Sequence, residues 1–229
     1  TFRRKVTRYI ALSDFGRDKL AQSGLPLERI SVKPNYLEWR EAGSEAQPRM
    51  GGLFVGRLSP EKGVEVLLQA LATLPAPQVT VVGAGPLEQQ VRAQLGPQSL
   101  GFQPLPAVMA LMQSAGFMVL PSLWYEGFPR TIVEAYACGT PVVASRLGAM
   151  AEVIEDGVTG LLFSPGNVQE LADKIAWAQA NPAAMRAMGQ AARRRYETYY
   201  SPEVNYRQLL AIYEQAFTEN HADRGSSQG

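Results

Sequence analysis

Two residue types that carry much active-site chemistry are almost missing from this 229-residue sequence, which has one cysteine, Cys138, and one histidine, His221. A single cysteine excludes an intrachain disulfide framework and a multi-cysteine zinc site, and fits a reducing compartment. A single histidine in a polar tail removes Ser/His/Asp triads, Cys/His pairs and histidine-rich metal sites. An excess of charge of either sign is missing too. The 22 Lys and Arg face 21 Asp and Glu, a net charge of +1, so no global field draws in nucleic acid or an anionic membrane. Anion binding has to come from a local arrangement. No apolar run approaches the roughly 20 residues that span a bilayer, and the first residues carry no apolar secretion-signal stretch. The expectation is a soluble, cytoplasmic protein with no nucleic-acid partner and no membrane span, peripheral membrane contact remaining open.

What is present is a core. Hydrophobic residues make up 46% of the chain and charged ones 19%, a globular composition. From Gly51 to Phe163, short apolar runs alternate with helical patterns. Strands are predicted at Leu53 to Gly56, Val79 to Val82, Phe117 to Leu120, Pro141 to Ala144 and Gly160 to Phe163. Helices are predicted at Glu61 to Leu74, Leu87 to Leu95, Pro106 to Ala115, Arg130 to Ala137 and Ala149 to Ile154. Uniformly apolar strands separated by helices imply a parallel sheet covered on both faces, a doubly wound α/β fold. Asn167, with Glu170 three positions on, marks a helix start. Pro182 restarts the chain into another helix, and Ser201 to Phe217 is helical again. Residues 218–229 turn polar and read as a disordered tail. Before the main sheet, Tyr9 to Ser13 and Ile30 to Val32 are strand-like around a helix at Asp14 to Ser23, and Glu41 to Pro48 reads as a polar loop. There is no internal repeat.

In an open parallel sheet, ligands bind beyond the carboxyl ends of the strands. Four segments stand there. In the first, Gly56 to Gly63, Arg57 offers a planar fork of donors and Lys62 a mobile point charge, which together suit a diphosphate; a solvated pair beside a helix start is the alternative. The second, Gly83-Ala84-Gly85-Pro86, lets a ligand approach the backbone closely or is simply a turn. The third, Pro121 to Glu134, places Glu126 on a loop and Glu134 about a turn inside the next helix, where two carboxylates can hold a polyhydroxylated ligand. The alternative is that Glu126 caps the helix dipole and Glu134 is an exposed charge. The fourth, Ser145 to Met150, is a sharp loop against the same cleft. Cys138 reads as a small buried apolar residue, Arg193 to Arg195 as a solvated face, and Tyr199-Tyr200 as packing.

Taken in order, these segments resemble glycosyltransferase family four, the retaining group 1 glycosyltransferases of GT-B architecture. The carriers are G-R-L-S-P-E-K-G at Gly56 to Gly63, V-G-A-G-P-L at Val82 to Leu87, L-P-S at Leu120 to Ser122, E-G-F-P at Glu126 to Pro129 with Glu134, A-C-G-T-P-V-V-A at Ala137 to Ala144, and D-G-x-x-G-L-L at Asp156 to Leu162. The resemblance extends from about Tyr9 to Phe217. It implies the Rossmann-like, donor-binding C-terminal domain of such an enzyme, spanning 36–217, with 1–35 a remnant of the N-terminal domain and connecting segment. It further implies that Arg57 and Lys62 bind the donor diphosphate and that Glu134 hydrogen-bonds the ribose. Glu126, with Gly127, Phe128 and Pro129, holds the sugar near its reacting carbon, making Glu126, Arg57 and Lys62 the catalytic set. Phe102 and Gln103 lie beside the base, Gly83 and Gly85 flank the donor, and Gly56, Arg130 and Thr131 complete the donor set. No cofactor and no metal are expected, the substrate being a nucleoside-diphosphate sugar with UDP, GDP and ADP unresolved.

An acceptor-binding N-terminal domain, which the family pattern includes, is not found in the sequence. The expected function is therefore hexosyl transfer with retention once the chain is joined to that domain, the isolated chain being inactive or weakly active. A nucleotide-sugar epimerase on the same architecture is one alternative, distinguished by assaying epimerised against transferred sugar. A non-catalytic nucleotide-sugar-binding module is the other.

Overall fold

The computed structural model describes residues 6–38 and 49–225, with side chains through Asn220. The polar loop expected at 41–48 and the last residues, 226–229, lie outside the described residues. Among the described residues, six strands form one parallel sheet: β3 (Met50–Val55), β4 (Val79–Val82), β5 (Ser99–Gly101), β6 (Ala115–Leu120), β7 (Val142–Ser145) and β8 (Gly160–Phe163), in the order β5-β4-β3-β6-β7-β8. The chain builds outward from β3 to one edge, returns, and builds outward from β6 to the other. Strand order therefore reverses between β3 and β6, the place in an open parallel sheet where a ligand crevice forms beyond the carboxyl ends.

Neighbouring residues on each strand enter opposite cores, which is why the strands carry no polar alternation. Leu53, Met118, Val142 and Leu162 pack on one face, against Ile132, Tyr136, Met150 and Tyr196. Those partners come from α5 (Arg130–Ala137), α6 (Gly148–Val153) and α8 (Pro182–Tyr199). Phe54, Phe117, Val143 and Leu161 pack on the other, against Leu67, Leu71, Val91, Leu171 and Ile175. These belong to α2 (Val64–Ala72), α3 (Glu88–Leu95) and α7 (Val168–Ala180). The N-cap of α7 is the expected one, with Asn167 accepting from the Glu170 N–H at 3.1 Å while its own amide donates to the Glu170 carboxylate. In α4 (Leu105–Ser114), Pro106 sits in the first turn, where its missing N–H has no helical partner to lose.

Ahead of the main sheet, β1 (Tyr9–Ala11) and β2 (Ile30–Val32) pair in parallel around α1 (Asp14–Gln22). This small unit is tied to α9 (Pro202–Gly225) by Lys33, which donates to Asn205 Oδ1 at 2.9 Å, and by the Arg8–Glu219 ion pair.

Three expectations change. The strand β5 was not anticipated, because Ser99-Leu100-Gly101 has no apolar run; edge pairing to β4 makes it a strand. The helix expected from Glu61 is instead a 3₁₀ turn, Pro60–Lys62, followed by α2, because Gly63 takes a left-handed conformation between them. And α9 does not stop at Phe217 but continues to Gly225. Residues 218–224 contain no proline or glycine, and the Arg8 pair fixes Glu219, so polar composition does not end the helix.

Candidate functional site

The loop after β3 and the loop after β6 meet at the crevice and enclose a cavity of about 110 Å³. Its polar lining comprises Arg57, Lys62, Ser122, Glu126 and Thr131, with Gly56 and Pro129 completing the loops. Backbone packing forces the two loops together. Gly63 has φ +70°, and a Cβ there would lie 1.9 Å from the Pro121 carbonyl oxygen, so the chain after Lys62 runs directly against the start of the Glu126 loop. The Leu123 N–H donates to the Glu61 carbonyl at 2.9 Å across the same seam.

Lys62 Nζ donates to Glu126 Oε1 at 2.6 Å, and Ser122 Oγ donates to the same oxygen at 2.8 Å. Both interactions use one carboxylate oxygen. Lys62 has three donors, so one bond to Glu126 leaves others for a ligand. Glu126 is thus engaged by Lys62 and Ser122 rather than capping a helix. Arg57 is exposed beside them and forms no ion pair among the described residues. Ser122 is the residue that sequence reasoning missed: it was quoted within L-P-S, but nothing in a lone serine signals that it is buried and aimed at a glutamate.

The helix α5 starts at Arg130 with no side-chain cap, and Thr131 of its first turn lines the cavity. Glu134 lies one turn further in. Its side chain is only 12% exposed and pairs with Arg130 Nε at 3.2 Å. Burial raises the Glu134 pKa above the ordinary carboxylate range, and the Arg130 charge opposes that. It is not the exposed helical charge of the alternative reading.

The other expected residues stand apart from the cavity. Gly83 and Gly85 pack directly against the β3 loop. A Cβ on Gly83 would meet the Gly56 carbonyl oxygen at 1.8 Å and one on Gly85 the Leu58 carbonyl oxygen at 2.5 Å, so these glycines let two loops of the chain itself interlock. Phe102, 75% exposed, and Gln103, which donates to the Leu100 carbonyl, follow the edge strand β5, with β4 between them and β3. Phe128 packs into the core beside the Tyr200 ring. At Gly127 a Cβ would meet open space, so the fold itself imposes no requirement for glycine there. Ser145 to Met150 turns into α6 instead of lining the cavity. Gly148 contributes indirectly, its bare Cα lying under Tyr125 and Phe15.

That last contact shows an unforeseen support for the Glu126 loop. The Phe15 ring of α1 lies 4.8 Å from the Tyr125 ring, and Glu152 of α6 accepts the Asp14 and Phe15 N–H groups at 2.9 Å each. The arginine run also changes meaning. Arg193 donates to the Ala137 carbonyl and to Glu197, and Arg195 lies 3.8 Å from Glu155, so these two are packing cations, whereas Arg194 between them is exposed as expected. Cys138 is buried as expected. Among the described residues no His, Cys, Asp and Glu side chains gather as a metal-ligand group, and no helix is long and apolar enough to cross a membrane.

The family profile described as "Glycosyl transferases group 1" matches residues 38–195. The chain is 30% identical over 226 residues to the amylovoran biosynthesis glycosyltransferase AmsK of Erwinia amylovora, covering 90% of this chain and 55% of that protein. It is 34% identical over 233 residues to the phosphatidyl-myo-inositol mannosyltransferase of Mycobacterium leprae, covering 93% and 60%. It thus spans little more than half the length of these two relatives. Among solved structures it is similar to Anabaena HepE in complex with UDP and glucose, with a TM-score of 0.79 and 28% identity over 91% of this chain and 63% of that one. The first two are named as transferases.

Proposed function

Because this chain belongs to the group 1 glycosyl transferase family, we propose that the crevice between the β3 and β6 loops holds the diphosphate of a nucleoside-diphosphate sugar for hexosyl transfer with retention. The observation that carries this reading is the convergence of Arg57, Lys62, Glu126 and the uncapped start of α5 on one cavity at the strand-order reversal.

Each group has a task in it. Arg57 brings a fork of N–H donors and a charge that makes no ion pair among the described residues, although Glu61 feels it; Lys62 brings a charge paired with Glu126. As the bond to the sugar breaks, negative charge grows on the departing diphosphate, and fixed positive groups beside it lower that barrier without a metal ion. The second oxygen of Glu126 is left for a sugar hydroxyl, and Ser122 fixes the carboxylate while it accepts. Glu134, behind the first turn of α5, is the group assigned to the ribose, with Phe102 and Gln103 beside the base. The enclosed volume fits only the diphosphate region, and the rest of the donor lies over open loops. Retention follows from attack on the face the diphosphate leaves. The acceptor is assigned to a domain outside these 229 residues, so the chain alone binds donor and transfers weakly or not at all. The setting proposed is the cytoplasm, where nucleotide sugars are the activated donors.

Calorimetric titration of UDP, GDP and ADP sugars into the chain tests this. UDP-glucose is the first to try, given the UDP and glucose in the HepE structure. Saturable binding of at least one is expected, with Lys62→Ala weakening it by about 1.5–3 kcal/mol, the scale of a charged hydrogen bond. No binding at millimolar concentration, or an affinity unchanged by Lys62→Ala, overturns the proposal.

A further inference from the structure

The two strands that carry the donor crevice at their carboxyl ends carry a larger cavity at their amino ends. It measures about 1130 Å³ and opens around Met50 and Gly51 at the start of β3 and Gly116 and Phe117 at the start of β6, with α8 as one wall. The five residue steps of β3, at about 3.3 Å each, put the two sites about 17 Å apart. The volume is somewhat larger than ordinary small-molecule sites, which run to roughly 1,000 Å³.

Its charge is unlike that of the molecule. The chain balances 22 basic against 21 acidic residues, yet this cavity is lined by Arg49, Arg186, Arg193 and Arg194 and, among the described residues, by no Asp or Glu. Two of these arginines hold the fold. Arg49 donates to the Cys138 and Gly139 carbonyls at 2.6 and 2.8 Å, and Arg193 to the Ala137 carbonyl, so both serve the carboxyl end of α5. Arg186 and Arg194 do not. They are exposed, and their eight-residue spacing sets them on one face of α8.

The second observation is in the wall. Gln113 lines the cavity, and its Nε2 is buried with no hydrogen-bond partner. An unpaired buried amide donor is costly, and native folds keep few of them. The side chain that carries this donor lines a space large enough for a ligand, and a turn of that side chain toward the cavity would let a ligand's acceptor oxygen satisfy it.

We propose that this amino-end cavity is a second binding site, taking a small organic phosphate or polyphosphate, with Arg186 and Arg194 supplying charge and Gln113 donating to one of its oxygens. The inference stands apart from the donor site and does not rest on it.

The probe is inorganic pyrophosphate, titrated calorimetrically into the R57A/K62A variant, which lacks the carboxyl-end basic pair. That variant is expected to bind one pyrophosphate, and adding R186A/R194A is expected to weaken binding at least tenfold, with the thermal melt verifying that each variant folds. No binding by R57A/K62A, or binding indifferent to R186A/R194A, overturns the proposal and leaves the donor reading untouched. Gln113→Leu gives an independent check. In the R57A/K62A background it is expected to keep or raise the Tm without ligand, since the orphan donor is gone, while the rise in Tm brought by pyrophosphate shrinks. An undiminished rise rejects the role of Gln113.

Discussion

Glu134, assigned above to the ribose, shows how a residue proposed for binding can weigh against the fold that presents it. Burial raises its pKa, and Arg130 at 3.2 Å offsets only part of that effect because the arginine is itself 62% exposed. A carboxyl whose folded pKa lies above its unfolded value stabilises the fold while protonated, below about pH 4.3, and that contribution is lost as pH rises through the folded pKa. Glu134→Gln stays neutral at every pH. It is expected to melt above the wild type at pH 7, by a margin that closes toward about pH 4, while binding the nucleotide less tightly because an amide is a poorer acceptor for ribose hydroxyls than a carboxylate. Thermal melts across pH, paired with titration of the same variant, check both signs. A lower Tm at pH 7, or unchanged affinity, contradicts the assignment.

At the scale of elements, the crevice depends on how closely the β3 and β6 loops approach, and Gly63 sets that approach. Any side chain there meets both a left-handed backbone and the Pro121 carbonyl at 1.9 Å. Gly63→Ala is expected to destabilise the fold by about 1–3 kcal/mol, the scale of a strained backbone position, and to lower donor affinity by moving Lys62 from Glu126. A denaturant melt indistinguishable from wild type contradicts this account of the seam. The elements also show what was legible beforehand. The strands β3, β4, β6, β7 and β8 were readable because burial on both faces leaves uninterrupted apolar runs, and α5 and α7 because their starts are marked by Pro129 and Asn167. Edge strand β5 was not, since three residues at a sheet margin need no such run. Gly83 and Gly85 were readable as special, but their packing on the β3 loop was not, since glycine looks the same in sequence whether it meets a ligand, another loop or both. The bracing of Tyr125 by Phe15 joins residues 110 positions apart and leaves no local trace.

On the scale of the whole molecule, one sheet presents two chemically different ends. At the carboxyl ends of β3 and β6, a mixed cluster of Arg57, Lys62 and Glu126 is drawn together by loop packing; at the amino ends, an arginine-lined cavity faces α8. The balanced net charge conceals both, which is why composition excluded a global field yet said nothing about local ones. The central claim is that the nucleotide sits at the first of these ends, and a crystal structure of this chain with UDP tests it most directly. The account predicts the diphosphate within hydrogen-bonding distance of Arg57 and Lys62, at the uncapped start of α5. UDP bound elsewhere, at the amino-end cavity or along β5 alone, with the Arg57 and Lys62 side chains free of phosphate, would contradict it.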